Sequence, residues 1–185
     1  MFSFMIAQAT LFDTNAAEGS LRPIIRYKPD GQGKKEIVNA RWGTNPRFSG
    51  GVEYRFVRSE GRTFPSHRCL VPASEFHMQV GKTSYRVSRD DGNFFYLAGI
   101  WEPPMAGYPL AFRIITVAAN VDVAEYQERH GAMIERSQVM KWLDGTVPEA
   151  DLLVTPSART FLIQEIGAVS GKRKPVQTPL TLDAS

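Results

Sequence analysis

The sequence predicts an α+β domain that is mostly antiparallel β with a few short helices, and three observations predict it. Short β-branched and aromatic runs such as EIVNARW and FFYLAGIW recur along the chain, the first with clear apolar–polar alternation. Turn-forming clusters separate them at hairpin spacing, namely KPDGQGKK, Gly81-Lys82 and Asp90-Asp91-Gly92. Helical periodicity is confined to brief stretches, SQVMKWLD above all.

Taken in order, residues 2–8 read as a strand and TNAAEGS as a polar loop. PIIRY turns through KPDGQGKK into EIVNARW, its hairpin partner. Gly50-Gly51 breaks the chain before VEYRFVRS, where Val52, Tyr54 and Phe56 share one face. RCLVPASEFHMQ reads as a strand broken near Pro72, because proline removes a ladder donor. TSYRVS and FFYLAGIW follow as strands, and PLAFRIITVA, the most hydrophobic run, reads as central. Ser137 is placed as the cap of a helix over SQVMKWLD, with Val139, Met140 and Leu143 packing inward. PEADLLV and SARTFLIQEI read as short helical pieces. Residues 1–167 thus form one domain, and 168–185, with Lys172-Arg173-Lys174 and two prolines, a polar mobile tail.

A chain of 185 residues buries enough surface to fold without disulfide staples, and its single cysteine, Cys69, allows no internal disulfide. A reducing compartment, the cytoplasm, is the expected location. The N-terminal MFSFMIAQATLFD lacks the basic start and cleavage site of a signal peptide, and no run approaches the ~20 apolar residues of a membrane helix.

The net charge of +3 hides an asymmetry. From Arg22 to Arg68 there are eleven Lys and Arg against four Asp and Glu; the remainder carries eleven against fifteen. Tyr27, Trp42, Phe48, Tyr54, Phe56 and Phe64 are interleaved with those cations. Charge for a phosphate backbone and flat faces for bases together suit a single-stranded nucleic acid, while a solvated surface over core aromatics is the structural alternative.

Familiar chemical motifs fail on spacing. Gly81-Lys82-Thr83 ends like a phosphate-binding loop, but Phe76 stands where its first glycine belongs and strands flank it on both sides. DGQGKK lacks the third glycine and the helix of a dinucleotide site, and there is no G-x-S-x-G elbow. His67, Cys69 and His77 suggest zinc, yet on one extended strand positions 69 and 77 lie roughly 26 Å apart, so neither a metal nor a cofactor is expected.

At HRCLVPASEF the chain resembles the RCLVPASGFYEW segment of the SRAP family, the SOS response-associated peptidase-like proteins. Further pieces fall in that family's order. NAAEGSLRPIIR is similar to its N-I-A-P-T-Q…P-V-V-R stretch, Ala40-Arg41-Trp42-Gly43 to A-R-W-G, and Phe56-Val57-Arg58-Ser59-Glu60 to N-A-R-S-E. TVAAN is similar to its T-x-A-A-N strand end, and Tyr126 to Leu143 to the segment that begins I-H-D-R-M-P. The resemblance covers about residues 15–165 and implies a barrel-like fold. It also implies a mechanism: an N-terminal Cys, exposed by loss of Met1, captures the aldehyde of an abasic site in single-stranded DNA as a thiazolidine. An Asn, a Glu and a His assist, a basic groove holds the strand, and self-cleavage of a leading peptide gave the family its name.

This chain departs at each chemical position. Phe2 stands where the Cys is needed, Phe56 in place of the Asn, Met78 in place of the Glu and Gln127 in place of the His. Without the thiol the nucleophile is lost. Glu75, His77 and His130 are nearby substitutes, but Glu75 lies three positions from Met78, and an odd shift on a strand turns a side chain to the opposite face. The resemblance carries over Arg41, Trp42, Arg58 and Arg129 as strand-binding residues, with a salt bridge from Arg58 to Glu60 or Glu53 as the structural alternative. Three readings follow: a degenerate member that binds single-stranded DNA noncovalently; a residual peptidase or lyase using Glu75 and His130; and a protein-interaction module with Phe2, Phe56 and Met78 filling the former pocket.

Overall fold

The computed structural model describes residues 20–44 and 53–168. The expected first strand, Phe2, Val52 and the segment 169–185 lie outside the described residues. Strand β1 (Leu21–Tyr27) pairs antiparallel with β2 (Lys35–Trp42) along its whole length, as the turn chemistry between them predicts. On its other side β1 meets β4 (Arg68–Ala73), which pairs in turn with β7 (Phe95–Glu102). The central β8 (Ala111–Ala118) bonds β7 antiparallel, and β2 and β3 (Phe56–Arg58) in parallel. Because β7 bonds both β4 and β8, the sheet curls back on itself; the β2–β8 link spans two residue pairs, and a mixed, strongly curled sheet results in place of a closed barrel. Short strands β9 (Arg129–Gly131) and β10 (Met133–Ile134) extend it.

A second, antiparallel sheet is made of β5 (Glu75–Val80), β6 (Thr83–Arg89) and β11 (Phe161–Ala168). The chain passes from the first sheet to the second at Ser74, not at Pro72. Pro72 sits inside β4 opposite Tyr96, and it is tolerated because the β1–β4 ladder covers only Cys69 and Leu70, which leaves Pro72 with one neighbouring strand. The expected helix over SARTFLIQEI is instead β11, paired with β6 from Phe161 to Ala168 through a bulge at Glu165/Gly167. Exposed Leu162 and Ile166 masked the period of two in the sequence, since apolar residues on both faces leave no alternation to read.

Two apolar cores flank the curled sheet. One lies between the sheets and holds Ile24, Val71, Met78, Val87, Phe112 and Phe161. The other is closed by α1 (Val139–Asp144) and α2 (Glu149–Leu152), which pack Trp142, Leu143 and Leu152 on Leu70, Ala98 and Ile115. Trp142 is fully buried and donates its indole N–H to the Cys69 carbonyl at 2.9 Å. Ser137 does not cap α1. It lies in a 3-10 turn, Arg136–Gln138, that leads into the helix, and Met140 faces solvent where Trp142 takes its expected inward place. Around Tyr54 the strand is reduced to a single bridge with Thr44. Among the described residues no helix is long and apolar enough to cross a membrane.

Candidate nucleic-acid interface

Between the two sheets the described residues line an open cavity of about 500 Å³. Arg22 of β1, Trp42 of β2, and Phe56 and Arg58 of β3 line one side. Glu75, Phe76 and His77 of β5 line another, with Gln127, Arg129 and His130 beside them. Eight residues singled out in the sequence are therefore gathered in one place: Trp42, Phe56, Arg58, Glu75, His77, Gln127, Arg129 and His130.

The handover at Ser74 sets the acid–base pair. Glu75 and His77 are two apart on β5, so they share a face, and His77 Nε2 lies 2.9 Å from Glu75 Oε1. Arg86, opposite His77 on β6, brings its Nε to 3.9 Å from the other carboxylate oxygen. The odd shift does put Glu75 and Met78 on opposite faces, and Glu75 reaches the cavity with no bulge in β5. Met78 points to the apolar core at 4% exposure and does not line the cavity, whereas Glu75 and His77 on the opposite face of β5 do, together with Phe76. Met78 therefore does not fill the pocket. Phe56 stands at its wall, 52% exposed, with its ring at 5.5 Å and edge-on to Trp42.

His130 is held as a neutral imidazole. Its Nδ1 donates to the Gly131 carbonyl at 2.8 Å, and Nε2 accepts the Asn120 backbone N–H at 3.4 Å. Burial pushes its pKa below the ordinary histidine value; the Gly131 hydrogen bond opposes this and the Arg129 charge reinforces it. Its ring packs against Phe76 and Phe161 at 6.1 and 5.2 Å. The expected partnership of Glu75 with His130 is not formed: Glu75 pairs with His77, and both His130 nitrogens are occupied.

The arginines part ways. Arg41 does not line the cavity; its guanidinium is paired with Glu53. Arg129 gives both terminal nitrogens to Glu60, at 2.9 and 2.7 Å. With both acids thus engaged, neither alternative ion pair for Arg58 is present, and among the described residues Arg58 has no carboxylate within ion-pair distance. Trp42 is half-buried, donates its indole N–H to the Arg55 carbonyl at 3.3 Å, and lies under the Arg55 guanidinium, so it serves both as packing and as pocket wall. Sequence reasoning missed Arg22, Phe76 and Thr116 as lining residues. The signal for Arg22 was its phase with Ile24 and Arg26, which share the buried face of β1. Cys69, by contrast, is fully buried and its thiol is pushed far above the ordinary range by desolvation.

A curled, mostly antiparallel sheet, a second three-stranded sheet, and a cavity between them lined by arginines, aromatics and a Glu–His pair define an α+β domain built around one polar-rimmed pocket. The family model for SOS response associated peptidase (SRAP) matches residues 6–169, and the chain belongs to the SRAP family. Its fold is similar to two solved structures. One is a protein of Bordetella bronchiseptica, with 19% identity, TM-score 0.64, and 82% of this chain and 86% of that one covered. The other is a protein of Bacteroides thetaiotaomicron, with 20% identity, TM-score 0.62, and 80% and 75% covered. No curated protein matches the sequence.

Proposed function

We propose that this SRAP domain binds single-stranded DNA, abasic strands included, and holds it without a covalent bond. Arg58 carries the reading. It is an exposed guanidinium with no carboxylate within ion-pair distance among the described residues, although Glu60 senses its charge, and it is placed on the wall of the same cavity as the rings of Trp42 and Phe56. A fork for phosphate beside flat faces for bases is what a sequence-tolerant strand binder needs. The noncovalent character rests on Phe56, Met78 and Gln127, which stand where the resemblance implies the assisting Asn, Glu and His. Fluorescence anisotropy of a labelled strand with one abasic site, titrated at low and moderate salt and then denatured, tests it. Salt-sensitive binding that is lost on denaturation is the expected result. A complex surviving denaturation would mean that another nucleophile acts, and no binding at low salt would sink the reading.

One observation favours a second reading. The Glu75–His77 pair, 2.9 Å apart, faces the cavity with the geometry of an acid–base couple, which suits residual peptidase or lyase chemistry on a bound strand or peptide. Loss of any measured strand cleavage in E75Q supports that reading; unchanged turnover in both E75Q and H77Q removes it.

A further inference from the structure

The bidentate contact between Arg129 and Glu60 is more than a surface ion pair. Arg129 lines the cavity, and its guanidinium is already fixed without Glu60: Nε donates to Thr116 Oγ1 at 3.0 Å and Nη2 to the Thr116 carbonyl at 2.7 Å. Thr116 is itself held within β8, with its hydroxyl 3.4 Å from the Val57 carbonyl. Glu60 therefore does not position the arginine. It occupies the outward fork, where two parallel N–H groups present the geometry that a carboxylate or a phosphate accepts equally well. Its own support is local: the side chain is 57% exposed, its carboxylate also accepts from its own backbone N–H, and the turn is held by the Ser59 N–H on the Thr116 carbonyl at 3.0 Å and the Arg62 N–H on the Ser59 carbonyl at 3.3 Å.

We propose that Glu60 is a resident anion that occupies the Arg129–Thr116 fork and is displaced by a phosphodiester oxygen of the bound strand. The site is thus a phosphate subsite with a built-in competitor. The lowered pKa of Glu60, caused first by its hydrogen bond to Arg129, keeps the competitor charged at neutral pH. Exchange costs little because an exposed ion pair contributes little, so a strand can open the contact on binding. The proposal rests on the strand-binding reading and names what regulates that site.

The test measures anisotropy of a labelled oligothymidylate at low salt with wild type, E60Q, R129K and the double variant E60Q/R129K. Each is first checked for wild-type thermal unfolding; Glu60, on an exposed turn, is expected to leave it intact, and a variant of Arg129 is used only if it unfolds as wild type does. E60Q keeps the shape of the side chain and removes its charge, so the strand is expected to bind about fivefold tighter than to wild type. Lysine keeps the charge of Arg129 but not the fork, so the gain is lost in E60Q/R129K. Binding by E60Q where wild type fails to bind supports the proposal equally. E60Q binding as wild type or more weakly, while wild type binds, makes Glu60 a positioning residue and overturns the proposal alone. A gain that persists in E60Q/R129K reduces the effect to long-range charge and also overturns it. If no protein binds, E60Q included, the strand-binding reading falls along with it.

Discussion

Arg41 and Arg58 look alike in the sequence, each carried over as a strand-binding arginine, and the structure separates them. Arg41 is tied to Glu53 and lies off the cavity. Arg58 stands on the cavity wall with no carboxylate within ion-pair distance among the described residues. Replacing Arg58 by Ala removes an exposed charge from an exposed strand position, so folding stability should change by less than about 0.5 kcal/mol. Its loss from a bound strand should cost about 1 kcal/mol, the value for a solvent-screened contact, or roughly fivefold in Kd. One phosphate contact fewer should also lower the slope of log Kd against log salt by about 0.7 for a single strand. Arg41→Ala should show the reverse pattern. It leaves Glu53 unpaired and destabilises the fold, while strand affinity stays within about twofold. Anisotropy titrations at four salt concentrations, with thermal unfolding alongside, read both quantities. Equal affinity losses in the two variants, or an unchanged salt slope in Arg58→Ala, would refute the reasoning.

Three further outcomes rest on the fold. Burial holds His130 neutral with a depressed pKa, while the unfolded chain takes up a proton near pH 6.5; stability from this residue is therefore complete above that pH and lost as pH falls below it. His130→Phe should flatten the decline in unfolding midpoint between pH 7 and pH 5, and parallel declines in both proteins would remove histidine as its cause. A Cβ at Gly99 would lie 2.9 Å from Cys69 Sγ and 3.0 Å from the Arg113 carbonyl, so Gly99→Ala should cost about 1–3 kcal/mol in chemical denaturation. Trp142→Phe leaves the buried Cys69 carbonyl without its indole donor and should cost about 2 kcal/mol, whereas wild-type stability would show that the hydrogen bond contributes nothing net.

Where local physics decided the structure, the sequence was readable. The hairpin of β1 and β2 announces itself by its turn, and the pairing of β5 with β6 by Gly81, which turns with φ +60° in the left-handed region. The candidate site was readable in its residues but not in its partners. Trp42, Arg58, Glu75 and His77 were named from sequence, yet which carboxylate takes which arginine depends on strand neighbours far apart in the chain. Glu60 meets Arg129 only because β3 and β9 both border β8. The identity of β11 was unreadable for the same reason. Its pairing with β6 is a contact across the whole domain, and its own alternation is blurred by two exposed apolar residues.

The charge asymmetry needs the same correction. Eleven cations against four acids between Arg22 and Arg68 suggest a broad positive field, but the acids are not spread evenly among them. Glu36 takes Arg26, Glu53 takes Arg41, and Glu60 takes Arg129 from outside the segment, while Arg68 finds Glu149 at 2.7 Å. Several arginines are thus spent on holding strands together, Arg26 and Arg68 while stacked on Trp101 and Trp142. Among the described residues of that segment, the cations outside these pairs include Arg58 at the cavity, Arg62 on the turn just after it, and Lys28, Lys34 and Lys35 at the turn between β1 and β2. The strand binding proposed for this domain therefore rests on a few well-placed contacts, and it assigns them to the rings of Trp42 and Phe56 beside Arg58, because charge alone would not choose the cavity over the lysine turn.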